Sequence, residues 1–162
     1  MSASSWLYSA LLATHLLSVA AWFGALIYRT FVVNVRARVY FDERDRDYEE
    51  FMLVLTDGAR RVVLAALLAG GLSGVGLLAL RWHRLADPAW AAMLLTKSAL
   101  FALLFAGFVY ISWWLWPRRS FALPAEFPAE QRHSHVVALV MLGLLTVAML
   151  LGIVSSQALV LP

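Results

Sequence analysis

Four long apolar runs constrain the fold of this chain more than any other feature. They cover about residues 6–29, 61–80, 90–116 and 136–161 of the sequence. Each run reaches the roughly 20 residues that a helix needs to cross about 30 Å of hydrocarbon. Because lipid offers the backbone no hydrogen-bond partners, each run must pair its own amides and carbonyls as a helix. We therefore predict an all-α, integral membrane four-helix bundle that forms one domain over residues 1–162.

The composition is typical of a membrane protein and excludes several soluble functions. Hydrophobic residues make up 62% of the chain and charged residues only 14%. The absence of cysteine excludes a disulfide framework, a thiolate metal site and a cysteine nucleophile. The sequence has no glycine-rich phosphate loop, nucleophile elbow or H-E-x-x-H zinc helix. Its arginines lie in the loops, so we expect the lipid bilayer as the partner of this chain, and no nucleic acid.

The arginines are distributed unevenly between the two sides of the predicted bundle. Seven lie between the first and second apolar runs and three between the third and fourth, against two between the second and third. Cytoplasmic loops carry an excess of Lys and Arg, so both termini should face outward in a bacterial-type inner (plasma) membrane. We expect about residues 30–58 to form a charged cytoplasmic extension of the first helix, with a break at Asp57-Gly58 before the second.

Two basic residues, His15 and Lys97, lie deep inside the predicted spans, away from their ends. His15 shares one face of the first helix with Trp22, because residues seven apart return to the same side of a helix. Lys97 lies at a similar depth in the third helix, where a lysine near mid-membrane costs roughly 2.5–3.5 kcal/mol and is usually functional. We predict a polar, cofactor-binding site in the outer half of the bundle, to which Ser73 and Ser156 also contribute.

Three interpretations of this polar site remain open from the residues alone. His15 and Lys97 could be structural and form interhelical hydrogen bonds. His15 could instead ligate a metal ion or haem iron, since neutral imidazole is the commonest metal ligand. The site could also handle protons for the redox reaction of a quinone or a porphyrin. Gly70 and Gly74 have the spacing that lets two helices approach closely, or they could make room for a flat cofactor.

Two further residues are candidate metal ligands beside His15. Met93 lies one turn from Lys97 and has a soft thioether that suits copper. His135 follows His133 by two residues, so on a helix the two imidazoles would diverge by about 200°. They could chelate one metal ion only if that segment is not helical.

Three stretches carry a resemblance to a known family: "HLLSVAAWFGAL", "RRVVLAALLAGGLSGVGLLAL" and "LLTKSALFALLFA" followed by "WPRR". They resemble the copper-resistance protein D (CopD-like) membrane domain. This resemblance implies a membrane protein that handles copper, with His15 as the ligand and Lys97 and the nearby polar groups tuning it.

The histidine and tryptophan of the first helix and the lysine of the third also resemble, more weakly, the HemJ-type protoporphyrinogen oxidase. That resemblance implies that His15 and Lys97 contact haem b. The expected cofactor is therefore copper or haem b. A third hypothesis is a non-catalytic accessory subunit, in which the chain joins a homo-oligomer or a larger membrane complex.

Overall fold

Six α-helices and short helical connections make up nearly all of the chain that the computed structural model describes, residues 3–42 and 44–157. The side chains at positions 3, 124, 156 and 157 are outside that description. The helices are α1 Ala3–Ile27, α2 Asn34–Phe41, α3 Asp45–Leu80, α4 Pro88–Tyr110, α5 Trp116–Ser120 and α6 Phe127–Gln157. Two π-helical segments, Tyr28–Val33 and Ile111–Leu115, and two 3-10 helices, Trp82–Ala86 and Pro124–Glu126, connect them.

These elements combine into four long helical rods. The first rod is α1 continued through a π-helical segment into α2, and the third is α4 continued in the same way into α5. The second and fourth rods are α3 and α6. Within residues 3–42 and 44–157, four helices are long and apolar enough to cross a membrane, and no strand occurs. The structure confirms the all-α four-helix membrane bundle, and the chain is a multi-pass membrane protein.

The bundle has two chemically different ends. Both ends of the described chain and the Trp82–Ala86 connection lie at one end, which we call the terminal end. The turn between α2 and α3 and the connection between α5 and α6 lie at the other, which we call the arginine-rich end. At the terminal end, Asp87 starts α4 by accepting a hydrogen bond from the Ala89 amide, and Pro88 occupies the first turn, where its missing N–H costs nothing.

The rods pack as two pairs. α1 packs mainly on α3, α4 packs mainly on α6, and α1 also contacts α6. Glycines permit the first pairing, because a Cβ at Gly74 would lie 3.3 Å from His15 Cε1 and a Cβ at Gly70 would lie 3.5 Å from Ser18 Cβ. The glycine spacing on α3 therefore serves close helix packing, which is how membrane helices associate without a hydrophobic driving force.

A buried apolar cluster joins the two pairs at the middle of the bundle. Trp22 of α1 belongs to it and is only 7% exposed, so its indole is part of the core. The other buried members come from the remaining three rods: Leu67, Leu104, Phe108, Met141 and Leu145.

The predicted break at Asp57-Gly58 is wrong, because the chain turns between α2 and α3 instead. Asp42 follows α2 with a φ of 47°, and its amide donates to the Arg38 carbonyl. α3 then begins at Asp45 and continues through Gly58, which has no positive φ. Glycine inside a helix costs only about 1 kcal/mol. The packing of the first turns of α3 against α2 and α5 outweighs that cost.

The third and fourth rods also extend further toward the arginine-rich end than the apolar runs predicted. The third rod continues past Pro117 to Ser120, with the proline in the first turn of α5, where helices tolerate it. The fourth begins at Phe127 rather than near residue 136. These extensions place polar residues from several rods beside one another beyond the apolar core.

Candidate functional site

His15 is held against α3 in one defined orientation. Its Nδ1 lies 2.8 Å from the Gly70 carbonyl oxygen and 3.3 Å from Ser73 Oγ. A carbonyl can only accept, so Nδ1 carries a proton and donates it, and Nε2 takes no part in this hydrogen bond. The Ser73 hydroxyl donates in turn to the carbonyls of Ala69 and Gly70, at 2.6 and 3.0 Å. The imidazole of His15 is therefore held in one orientation, with Nδ1 in contact with α3.

Lys97 is satisfied in the other helix pair. Its Nζ donates to Ser155 Oγ of α6, and the Ser155 hydroxyl donates to the Gly152 carbonyl at 2.8 Å. In the described part of the chain, no hydrogen bond joins Lys97 to His15. The structure therefore divides the predicted polar site into a His15–Ser73 pair between α1 and α3 and a Lys97–Ser155 pair between α4 and α6.

The two pairs nevertheless lie at the same depth. The Phe101 ring of α4 contacts α3 at Gly71, where a Cβ would lie 3.0 Å from it. Lys97 is one helical turn from Phe101 toward the terminal end, and Gly74 is about one turn from Gly71 in the same direction. Since Gly74 contacts His15, the imidazole and the ammonium group occupy one layer.

The other predicted site residues have different surroundings. Ser73 is buried at 3% exposure and contacts His15 directly. Trp22 lies in the core cluster, about one to two turns deeper than His15. Met93 is half-buried on α4, one turn from Lys97 toward the terminal end. The side chain of Ser156 lies outside the described residues, and its neighbour Ser155 provides the contact with Lys97.

His135 lies at the arginine-rich end and cannot share a metal ion with His15. It lines a cavity together with Asn34, which follows His15 along the same rod by about 28 Å at 1.5 Å per residue. His133 and His135 both lie within helical α6, so the two imidazoles diverge and do not chelate one ion. His133 Nε2 instead lies 3.0 Å from Tyr110 Oη. Among the described residues, no group of three or more His, Cys, Asp or Glu side chains could hold a metal ion.

A second polar site, which the sequence analysis did not find, lies at the arginine-rich end. Glu49 and Arg119 form a two-pronged ion pair there, with both side chains only 5% exposed. Gln131 Nε2 donates to the same carboxylate at 2.8 Å. The guanidinium carbons of Arg29 and Arg119 lie 5.3 and 5.4 Å from the Trp116 ring centroid, within the range of cation–π attraction.

Four of these residues, Arg29, Trp116, Arg119 and Gln131, line a cavity of about 340 Å³, which we call the arginine cavity. Both π-helical segments border it, since Arg29 lies in the first and Leu115 in the second. π-helical turns inside α-helices are rare and are frequent at functional sites. The sequence signal for this site was a set of arginines next to aromatic residues at the ends of two apolar runs, and Glu49 in the charged extension.

Comparison of the chain with protein-family models, with curated proteins and with solved structures finds no match. The resemblances to the CopD-like and HemJ-type families therefore stay predictions, and the geometry of the two sites is the basis for a function.

Proposed function

We propose that this membrane protein handles copper, with His15 Nε2 as the ligand and the metal ion as the cargo. The observation that carries the proposal is the 2.8 Å hydrogen bond from His15 Nδ1 to the Gly70 carbonyl. Metal-ligating histidines almost always donate their other ring N–H to a carbonyl or carboxylate, which fixes the tautomer and raises the basicity of the ligating nitrogen. His15 has that arrangement inside an apolar span, where an imidazole without a role would be costly.

The surroundings of His15 favour transfer of the ion over its storage. A single imidazole, without a cluster of further His, Asp or Glu ligands among the described residues, binds a metal ion weakly. The ammonium group of Lys97 at the same depth would repel a cation and weaken its retention further. Met93, one turn from Lys97, is the candidate second donor for Cu(I) because thioethers are soft ligands. In this proposal the arginine-rich end faces the cytoplasm of a bacterial-type inner membrane.

Haem b is the second candidate, and the same hydrogen bond favours it. One imidazole with a fixed tautomer could hold haem iron without a cluster of several ligands. His15 would then hold the iron, and Lys97 would pair with a propionate. Bound haem would supply one-electron redox chemistry. In that case, His15 sets the position of the iron, and the apolar spans around it exclude water.

The test is metal analysis and absorption spectroscopy of the purified, detergent-solubilised protein after incubation with Cu(I). With excess Cu(I) present during the measurement, we expect up to one copper ion per chain, lost in His15→Ala and in His15→Gln. The glutamine variant keeps an N–H for the Gly70 carbonyl, so it separates loss of the ligand from loss of the helix contact. His83→Ala is the matched control, because His83 is exposed in the connection at the terminal end.

Three results would overturn the copper proposal. Equal copper in the wild type and in His15→Gln would remove His15 as the ligand. A Soret band that disappears in His15→Ala would replace copper with haem b. If neither copper nor haem b is bound and the protein co-purifies with a large complex, the result would favour the accessory role.

A further inference from the structure

The arginine cavity has an excess of positive charge. Among residues 3–42 and 44–157, no carboxylate lines it, although Glu49 offsets the charge of Arg119, and Asp45 pairs with Arg38 at 2.7 Å. Arg29 and Arg132 also line it, and neither guanidinium has a carboxylate or hydrogen-bond partner within residues 3–42 and 44–157. Two unneutralised guanidinium groups facing one cavity indicate an anionic ligand, because guanidinium groups match the oxygens of phosphate in geometry and charge.

A second cavity, of about 350 Å³, adjoins the first and shares Asn34, Arg38 and His135 with it. Val35 and Val39 line it and are 53% and 73% exposed, so its apolar wall continues onto the outer surface of the rod. The paired cavities therefore combine a cationic interior with an apolar outer wall.

Two buried polar atoms in this wall lack a hydrogen-bond partner in the part of the chain that the structure describes. Thr30 is only 1% exposed, and its hydroxyl is unpaired, as is the side-chain oxygen of Asn34. An unsatisfied buried polar group is destabilising and calls for an explanation. The Asn34 oxygen can only accept, so its missing partner must carry a donor such as a hydroxyl group. The Thr30 hydroxyl can donate to an ester or phosphate oxygen.

We propose that the paired cavities bind the headgroup of an anionic phospholipid that carries hydroxyl groups, from the leaflet around the arginine-rich end. Arg29 and Arg132 contact the phosphodiester, and Asn34 and Thr30 pair with headgroup and ester oxygens. Basic pockets between membrane helices recognise anionic headgroups in this way. Arg29 follows His15 by about 21 Å along the rod, so this site is independent of the proposed copper site.

The test is native mass spectrometry of the delipidated full chain titrated with phosphatidylglycerol, with phosphatidylcholine or with inorganic phosphate. We expect phosphatidylglycerol to bind at least about tenfold more tightly than phosphatidylcholine. Arg29→Gln and Arg132→Gln should each weaken the binding of phosphatidylglycerol by about tenfold or more, because each variant loses one charge-assisted hydrogen bond. Arg84→Gln, an exposed arginine at the terminal end, should change nothing. Thr30→Val keeps the side-chain shape but removes the hydroxyl group, so it should also weaken the binding of phosphatidylglycerol.

Two alternative outcomes would contradict the proposal. Equal binding of both lipids that is insensitive to Arg132→Gln would overturn it, and Arg132 is exposed enough for that variant to fold. Inorganic phosphate that binds alone and displaces phosphatidylglycerol through Arg29 would identify a soluble phosphate anion as the ligand and overturn the lipid assignment. These results do not depend on copper, so they are separate from a failure of the proposed function.

Discussion

At the scale of single residues, the buried ion pair between Glu49 and Arg119 is the most sensitive feature of the arginine-rich end. Two hydrogen bonds, at 2.5 and 2.8 Å, join the side chains, and Gln131 adds a third to the carboxylate. A buried pair of this kind adds little net stability by its presence, but the loss of one partner leaves the other charge uncompensated. Arg29, near the same tryptophan, would then face a second unneutralised guanidinium group.

We expect Glu49→Gln to destabilise the protein by about 3–5 kcal/mol, because Arg119 would be left buried without an anion. Glu50→Gln is the matched control. Glu50 pairs with Arg46 at 3.5 Å, but the two side chains are 68% and 87% exposed. An exposed pair is worth roughly 0–1 kcal/mol, so the control should change stability little. Thermal unfolding of both variants in detergent measures the difference, and equal midpoints would contradict the assignment.

At the scale of elements, close contacts at glycines set the distance between paired helices. Gly107 of α4 faces Met141 of α6, and a Cβ at position 107 would overlap the thioether sulfur of that methionine. Met141 is only 4% exposed, so it has little room to move. On the fourth rod, Gly143 has open space where its Cβ would be. Gly107 is therefore needed for close contact with the neighbouring helix, whereas Gly143 is not.

We expect Gly107→Ala to destabilise the bundle by about 1–3 kcal/mol through overpacking. Gly143→Ala should be neutral or slightly stabilising, because alanine is the better helix former by about 1 kcal/mol. Unfolding of each variant in detergent measures both effects. In the double variant Gly107→Ala with Met141→Ala, the two changes should be non-additive, because both act on one contact. Strict additivity would show that the contact is not the cause.

At the scale of the whole molecule, four rods joined by short connections bring different residues to the two ends of the bundle. The arginine-rich end contains the buried ion pair, both π-helical segments and the arginine cavity. The terminal end contains the His15 layer and the Trp82–Ala86 connection. The positive-inside rule predicts that the arginine-rich end faces the cytoplasm.

The absence of cysteine allows a direct test of this orientation. We expect Leu85→Cys, in the connection at the terminal end, to react with a membrane-impermeant maleimide added outside right-side-out vesicles. Leu123→Cys, between α5 and α6, should react only after the vesicles are opened. Both positions are well exposed, at 47% and 66%, so accessibility within the protein does not limit either reaction. The reverse pattern would place the termini inside.

The sequence by itself determined the membrane location, the helical class and the number of spans. Hydropathy is a local property, and a bilayer forces any sufficiently long apolar run to form a helix. It also determined the shared depth of His15 and Lys97, because depth along a helix follows from residue count. The position of the turn, at Asp42 instead of Asp57-Gly58, could not be predicted in this way. The packing of α3 against α2 and α5 outweighs the local preference of Asp57-Gly58 for a break.

Only the tertiary structure decided which side chains meet. His15 pairs with Ser73 and Lys97 with Ser155, in each case 58 positions away, and Glu49 meets Arg119 at a separation of 70. Such contacts depend on which helices pair and how each is rotated about its axis. The spacing of residues within one helix does not indicate which helices pair or how each is rotated. The arginines and aromatic residues at the ends of two apolar runs were a signal, but the sequence does not predict the arginine cavity, because it exists only where separate rods and their π-helical turns come together.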